Sequence, residues 1–248
     1  MKCLIDIGNS NIVFAFADNE DIKQTYRYKT LKDKTCDELY LSYKTMFDLY
    51  EIDDVIISSV VPVLSSAFIK MFKKFLNINP KVLGPGIKSG ISIKVDDPKT
   101  VGADLICDCA GAMKIASEAI IIDLGTATKY IYCKNNTFYG CAIAPGVSVS
   151  LNALVSSADL LHSIELVAPK KVIGTSTNTS MLSGIVFSSA SAVDGMIERI
   201  KEEIGNKDCK VIATGGLSKV IIPACKNEIL LCENLTLCGL LEIYKKNV

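Results

Sequence analysis

Apolar and polar residues alternate along this chain in an order that occurs twice. Residues 2–8 (KCLIDIG) form an apolar run that ends at a carboxylate, Asp6, and passes into a turn at Gly8–Ser10. Alternating segments at Ile12–Ala17 and around Thr25–Thr30 follow, so a three-stranded meander is predicted. Helical periodicity takes over at Thr35–Tyr50, with Leu39, Tyr40, Tyr43 and Phe47 on one stripe and Asp37–Glu38 near its start. Val55–Ser59 reads as a short buried strand and Val61–Phe75 as a helix with Pro62 in its first turn. A loop rich in Gly and Pro spans Gly84–Gly90, and Asp97-Pro98 predicts the start of a helix running to about Ser117.

The second half repeats the order. Strands are predicted at 119–124, 127–133 and 137–143, helices at 147–158 and about 177–203, and a strand at Val211–Thr214 that ends in Gly215-Gly216. A short helix, a strand near Ile229–Cys232 and a helix over Leu235–Lys246 complete the pattern. Asp6-Ile7-Gly8-Asn9-Ser10-Asn11 in the first half matches Asp123-Leu124-Gly125-Thr126-Ala127-Thr128 in the second, each between two apolar strands. The spacing, about half the chain, points to a duplicated α/β domain, divided as 1–118 and 119–248, with a ligand cleft between the copies.

The repeated turn carries chemistry. An Asp-x-Gly-Thr segment also serves ordinary hairpins of the type that needs a glycine, but its recurrence favours a shared task. A glycine lets a phosphate approach the backbone, hydroxyl and N–H groups donate to the phosphate oxygens, and a carboxylate at the strand end can hold a cation.

Composition narrows the choice. Lys plus Arg and Asp plus Glu both total 27, so net charge offers no reason to propose nucleic acid or an anionic membrane as partner. Lys70, Lys73 and Lys74 read as a solvated helix face. The start MKCLID meets a carboxylate after three apolar residues, too early for a signal-peptide core, and no apolar run approaches the ~20 residues of a membrane helix. A cytoplasmic protein is expected. The 10 cysteines include no C-x-x-C pair and read as reduced thiols, most of them among apolar neighbours. A single histidine, His162, argues against Ser-His-Asp chemistry and a His-based zinc site.

Two Asp-x-Gly turns, each on a meander, resemble the ATP-binding superfamily of actin, hexokinase and Hsp70. Within it the chain resembles the type III pantothenate kinase family over essentially its whole length. DIGNSNIV at 6–13, SSVVP at 58–62, GPG at 84–86, GAD at 102–104 and DLGTAT at 123–128 fall in the family's order. GCAIAPG at 140–146, MLSGIVF at 181–187, VDG at 193–195, ATGG at 213–216 and LTLCGLLEIY at 235–244 complete it. The resemblance implies duplicated ribonuclease-H-like domains, as in actin-like ATPases. It also implies ATP-dependent phosphorylation of pantothenate, the first step of coenzyme A synthesis, by a homodimer whose pantothenate site lies at the subunit interface.

Residue by residue, the family motifs put the catalytic base on Asp104 and ATP contacts on Asp6, Ile7, Gly8, Asn9, Ser10, Asn11, Ile12, Val13, Thr126, Gly215 and Gly216. Substrate contacts fall on Val95, Gly102, Ala103, Asp104, Leu105 and, from across the dimer, Thr177. Asp123 would hold a monovalent cation, K⁺ or NH₄⁺, and Asp6 would organise Mg²⁺ through water. From the residues alone, Asp104 with Asp108 one turn on could be a solvated helix face, Gly215-Gly216 a strand end and Thr177 a helix cap. Three positions depart from the family pattern: Leu105 stands for its arginine, Val95 for a tyrosine, and Lys129 for the second threonine of the turn motif. Losing a guanidinium from a substrate carboxylate removes ~1.5–3 kcal/mol. A non-catalytic nucleotide-binding homologue, or a kinase for another small alcohol, is therefore the alternative. Lys129 either points to solvent or brings positive charge to the substrate carboxylate or in place of potassium.

Overall fold

The computed structural model describes residues 1–158 and 160–248. The first meander is β1 (Lys2–Ile7), β2 (Asn11–Ala17) and β3 (Ile22–Lys29), followed by α1 (Cys36–Phe47), β4 (Asp54–Ser59), α2 (Pro62–Met71) and a π-helical turn at Phe72–Leu76. Short strands β5 (Lys81–Val82) and β6 (Ser92–Ile93) precede α3 (Ala103–Ala112). The second meander is β7 (Glu118–Leu124), β8 (Ala127–Lys134) and β9 (Thr137–Pro145), followed by α4 (Val147–Ser156) and α5 (Thr177–Ile204). Then come β10 (Lys210–Thr214), α6 (Ser218–Ile221), β11 (Leu230–Leu231) and α7 (Leu235–Lys245).

The predicted order is present in both halves, and so is the duplication. One sheet runs β3-β2-β1-β4-β5, and the other runs β9-β8-β7-β10-β11 with β6 added beside β9. In each, the carboxylate-bearing strand pairs antiparallel with the next strand and parallel with the strand that follows the helices. Between Lys2 and Asp6, β1 is wholly apolar because both its faces are covered. Cys3, Ile5 and Ile7 enter a core with Leu39, Tyr43, Phe47, Phe68 and Phe72 of the α1–α2 region. The intervening positions, Leu4 and Asp6, point to the opposite face. In β7, likewise, Ile120, Ile122 and Leu124 pack with Val186, Ala190, Val193 and Ile197 of α5, so Asp123 takes the face away from that core.

Two compact units result: residues 1–92, 96–114 and 235–248 form one, and 93–95 with 115–234 the other. The expected change of domain at 118/119 is thus at 114/115, and α7, expected in the second domain, belongs to the first. Glycines explain it. A Cβ on Gly111 would lie 2.5 Å from the Leu235 carbonyl, and one on Gly239 would overlap the Cys107 carbonyl, so α3 and α7 touch backbone to backbone. Lys81 and Tyr244 both reach the Asp54 carboxylate, Tyr244 Oη at 3.1 Å, and fasten the far end of α7 to β4.

The helix expected from Asp97 to Ser117 is broken. Asp97 does cap a turn, accepting from Lys99 N at 3.1 Å, but that turn is a 3₁₀ element ending at Thr100, and Val101–Gly102 is extended before α3 begins. The apolar stripe of α1 lies where it was predicted, with Thr35 and Glu38 forming a capping box. Cys3, Cys107, Cys109, Cys133 and Cys209 are buried, Cys141 and Cys238 are exposed, and none of the ten is in a disulfide. The solvated face at Lys70, Lys73 and Lys74 is present, Lys74 pairing with Asp37 at 2.8 Å. Contrary to expectation, α5 is long and apolar enough by composition to cross a membrane. Its buried stripe, however, is the core of the second unit.

Gly239→Ala should force α7 off α3 at a cost of about 3 kcal/mol, the upper end for overpacking, lowering Tm by roughly 6–12 °C in calorimetry. Burial would raise the Asp54 carboxyl, but the Lys81 ammonium and the Val55 N–H hold it below the usual range. That contribution is complete above the unfolded value and is lost as pH falls through the lower folded one. Asp54→Asn should therefore be less stable than the parent at neutral pH, and denaturant titrations should show the gap closing below about pH 4.

Candidate active site

The first turn is built at the end of β1. Gly8 N donates to Asn11 O at 2.9 Å, and Thr30 Oγ1 to Gly8 O at 2.7 Å, so the loop is closed by its own backbone and by β3. Asp6 lies between Val13 of β2 and Ser58 of β4 in register. The buried Ser58 hydroxyl donates to Asp6 Oδ1 at 3.0 Å and orients the carboxylate. Ile7 and Ile12 are fully buried, so of the predicted ATP contacts these two could offer only backbone. Asn9 and Ser10 are exposed, with Lys32 Nζ 3.1 Å from Asn9 Oδ1, while Gly8, Asn11 and Val13 are half-buried.

Asp104 sits in the first turn of α3, half-buried, with Oδ1 accepting from Leu105 N at 2.9 Å. Gly102 lies directly beneath this carboxylate: a Cβ there would collide with Asp104 Oδ1 and come to 3.5 Å of Val60 Cγ1. Ala103 is half-buried and Leu105 is 7% exposed, its side chain part of the core. The solvated-face reading of the Asp104/Asp108 pair fails, because Asp108 is fully buried and accepts from Thr236 Oγ1 of α7 at 2.6 Å. The Cys107 thiol is pushed well up by burial and by the charges of Asp6, Asp108 and Asp104, and is hydrogen-bonded to Ser58. It stays protonated where these carboxylates gather.

The second turn is built differently. Gly125 N donates to Ala127 O at 3.2 Å, and Gly125 does not have a positive φ, so the expected glycine-requiring hairpin type is not the one used. The demanding glycines are two neighbours. A Cβ on Gly146 would lie 2.5 Å from the Gly125 carbonyl, and Gly146 N donates to Thr126 O at 3.1 Å. Gly215, at φ +94°, lies so close to Leu124 that a Cβ would be 2.6 Å from its backbone. Thus Gly125–Thr126, Gly146 and Gly215-Gly216 meet, and Thr126 and Gly216 are exposed on the surface they form. Thr177 is exposed at the start of α5. The cap there is made by Ser176 and Thr179, so the capping alternative belongs to those residues. Val95 is half-buried beyond β6, and His162 is exposed.

Asp123 lies opposite Lys129 in the β7–β8 register, and Lys129 Nζ is 2.6 Å from Asp123 Oδ2, with the side chains 16% and 13% exposed. Lys129 therefore does not point to solvent. A potassium ion at Asp123 does not fit these residues: the carboxylate is already met by a fixed ammonium. A second cation roughly 4 Å from the first would be repelled by about 4 kcal/mol at an effective dielectric of 20. Mg²⁺ fits Asp6 better, since it keeps most of its waters and takes one or two carboxylates with substrate phosphates. Among the described residues no cluster of three His, Cys, Asp or Glu side chains forms a dedicated metal cage. Ser58 and Gly146 are functional neighbours that residue-level reading did not assign. Ser58's place was implicit in a parallel pairing of β1 with β4, and Gly146's in the Pro-Gly ahead of a helix.

Residues 3–199 match the family described as type III pantothenate kinase. Type III pantothenate kinases of Acholeplasma laidlawii and Halalkalibacterium halodurans are 42% and 41% identical to the chain, each alignment covering all of both proteins. The chain belongs to the type III pantothenate kinase family. The family's enzymes phosphorylate pantothenate in coenzyme A biosynthesis. The fold is likewise that of (R)-2-hydroxyglutaryl-CoA dehydratase component A from Acidaminococcus fermentans, with TM-score 0.60 at 15% identity over 99% of this chain and 98% of that one. Duplicated ribonuclease-H-like units of the actin-like ATPase kind account for both sheets. Against the family pattern, Leu105 fills core space and Lys129 forms an ion pair, so both departures have a structural use.

Gly146→Ala should displace the Gly125–Thr126 turn. Its affinity for a non-hydrolysable ATP analogue, read by calorimetry, should fall at least about tenfold, the equivalent of ~1.4 kcal/mol. Gly184→Ala, where a Cβ meets nothing within 4 Å, should bind as the parent does.

Proposed function

We propose that the protein transfers the γ-phosphoryl group of ATP to the primary alcohol of pantothenate, as a cytoplasmic homodimer. The observation that carries this reading is the half-buried Asp104 carboxylate poised over Gly102, in a chain of this family whose two phosphate turns are both formed. Phosphoryl transfer needs little covalent work from the protein; positioning and charge neutralisation dominate.

In this reading Asp6–Val13 offers backbone and hydroxyl donors to the phosphates, Thr126 does the same from the second turn, and Gly215-Gly216 lets adenosine approach the backbone. Asp6 would hold Mg²⁺ through water, and the ion would supply positive charge for the phosphoryl oxygens. Asp104 accepts the proton of the alcohol, and Ser58 keeps Asp6 aimed. Pantothenate is contacted by Val95, Gly102, Ala103 and the backbone of Leu105, whose side chain is in the core, and by Thr177 of a second subunit. Support for the last point is the exposed apolar surface just before Thr177, where Val172 and Ile173 are 67% and 81% exposed. No step is assigned to a monovalent cation, because Lys129 meets Asp123.

Asp104→Asn should lower kcat by ~10²–10⁴-fold while leaving ATP affinity and thermal stability unchanged. ADP release should be measured with pantothenate and with a panel of other small alcohols. Turnover confined to pantothenate supports the proposal; turnover only with another alcohol replaces the acceptor. Nucleotide binding without turnover on any acceptor would instead indicate a regulatory homologue.

A further inference from the structure

The two turns follow equivalent strands of their sheets but differ in the residue facing each carboxylate. Asp6 has Val13 on one side and Ser58 on the other; Asp123 has Lys129 on one side and Thr214 on the other. The charge at Lys129 is therefore a property of the second turn alone. Its ammonium is 2.6 Å from Asp123 Oδ2, and both side chains are more than four-fifths buried. Both ends of the pair are rigidly mounted, since Asp123 and Lys129 are cross-strand partners in an antiparallel ladder. The turn above them is fixed by Gly146 and Gly215.

We propose that Lys129 is the resident cation of the second phosphate turn: its ammonium neutralises Asp123 and supplies the positive charge there, so that nucleotide binding requires no added monovalent cation. Without that ammonium, Asp123 would place a largely buried, uncompensated negative charge beside Gly125–Thr126 and repel the phosphates brought to it. Because the cation is covalently attached, its local concentration is independent of the medium, and no loosely held ion has to be recruited with each turnover. Lys129 acts as a positioning residue through Asp123 and the local charge. The inference rests on the ATP half of the proposed function and is independent of the acceptor.

The test is calorimetric binding of a non-hydrolysable ATP analogue with Mg²⁺, in potassium chloride and in tetramethylammonium chloride at equal ionic strength. The parent should bind equally in both salts. Lys129→Thr and Lys129→Met should bind roughly ten- to a hundred-fold more weakly in the tetramethylammonium salt. Potassium should restore part of the loss in Lys129→Thr, and Lys129→Arg should retain most of the parent's affinity. A parent that binds tenfold more tightly in potassium would overturn the proposal without recourse to any variant. So would a folded Lys129→Met that binds like the parent in the tetramethylammonium salt. No analogue binding by folded parent protein overturns this inference and the ATP reading together. Binding independent of potassium, with no phosphorylation of pantothenate, upholds this inference and overturns only the acceptor.

Discussion

Each unit is arranged around a charge that has to be placed at the end of a buried strand. β1 and β7 are sealed on both faces, and a carboxylate within either would be costly unless met by donors or opposite charge. Both strands therefore release their Asp at the last position but one, just before a turn, on the face away from the larger helical core. The parallel neighbour then brings a hydroxyl residue alongside, Ser58 in one unit and Thr214 in the other. Phosphate chemistry takes advantage of a place where the strand already exposes backbone donors and a carboxylate together.

Duplication has preserved geometry more closely than chemistry. The same strand order and the same turn position recur, but the loop after β1 has one residue more between paired strand positions than the loop after β7. One registers Asp against Val13, the other against Lys129. The result is a pair of carboxylates with different surroundings, the usual way in which one residue type is given two tasks.

Periodicity made the strands, the α1 stripe and the repeated turns legible, because these depend on residues close in sequence. What periodicity could not show depends on register and on close approach between distant segments. Asp108 reads as a surface residue at helical spacing, and only the arrival of α7, with Thr236 above it, makes it a buried acceptor. Gly125 reads as the indispensable glycine, yet the steric demand falls on Gly146 and Gly215, far along the chain. The helix predicted from Asp97 is interrupted where Val101 and Gly102 turn extended, a break that helix-start signals do not carry. Lys129 was ambiguous for the same reason: its partner is six positions away and is defined by the exact pairing across the turn.

The backbone contact between α3 and α7 bears on the order in which the chain is completed during synthesis. Every element of the second unit apart from its short β6 edge lies between α3 and α7 in sequence, so on the ribosome the first unit waits, open on its α3 face, until all of residues 115–234 have been made. Asp108 and the small-residue surface of α3 remain uncovered by α7 during that interval. The second unit is the one that can mature first, and the unit begun earliest is the last to close.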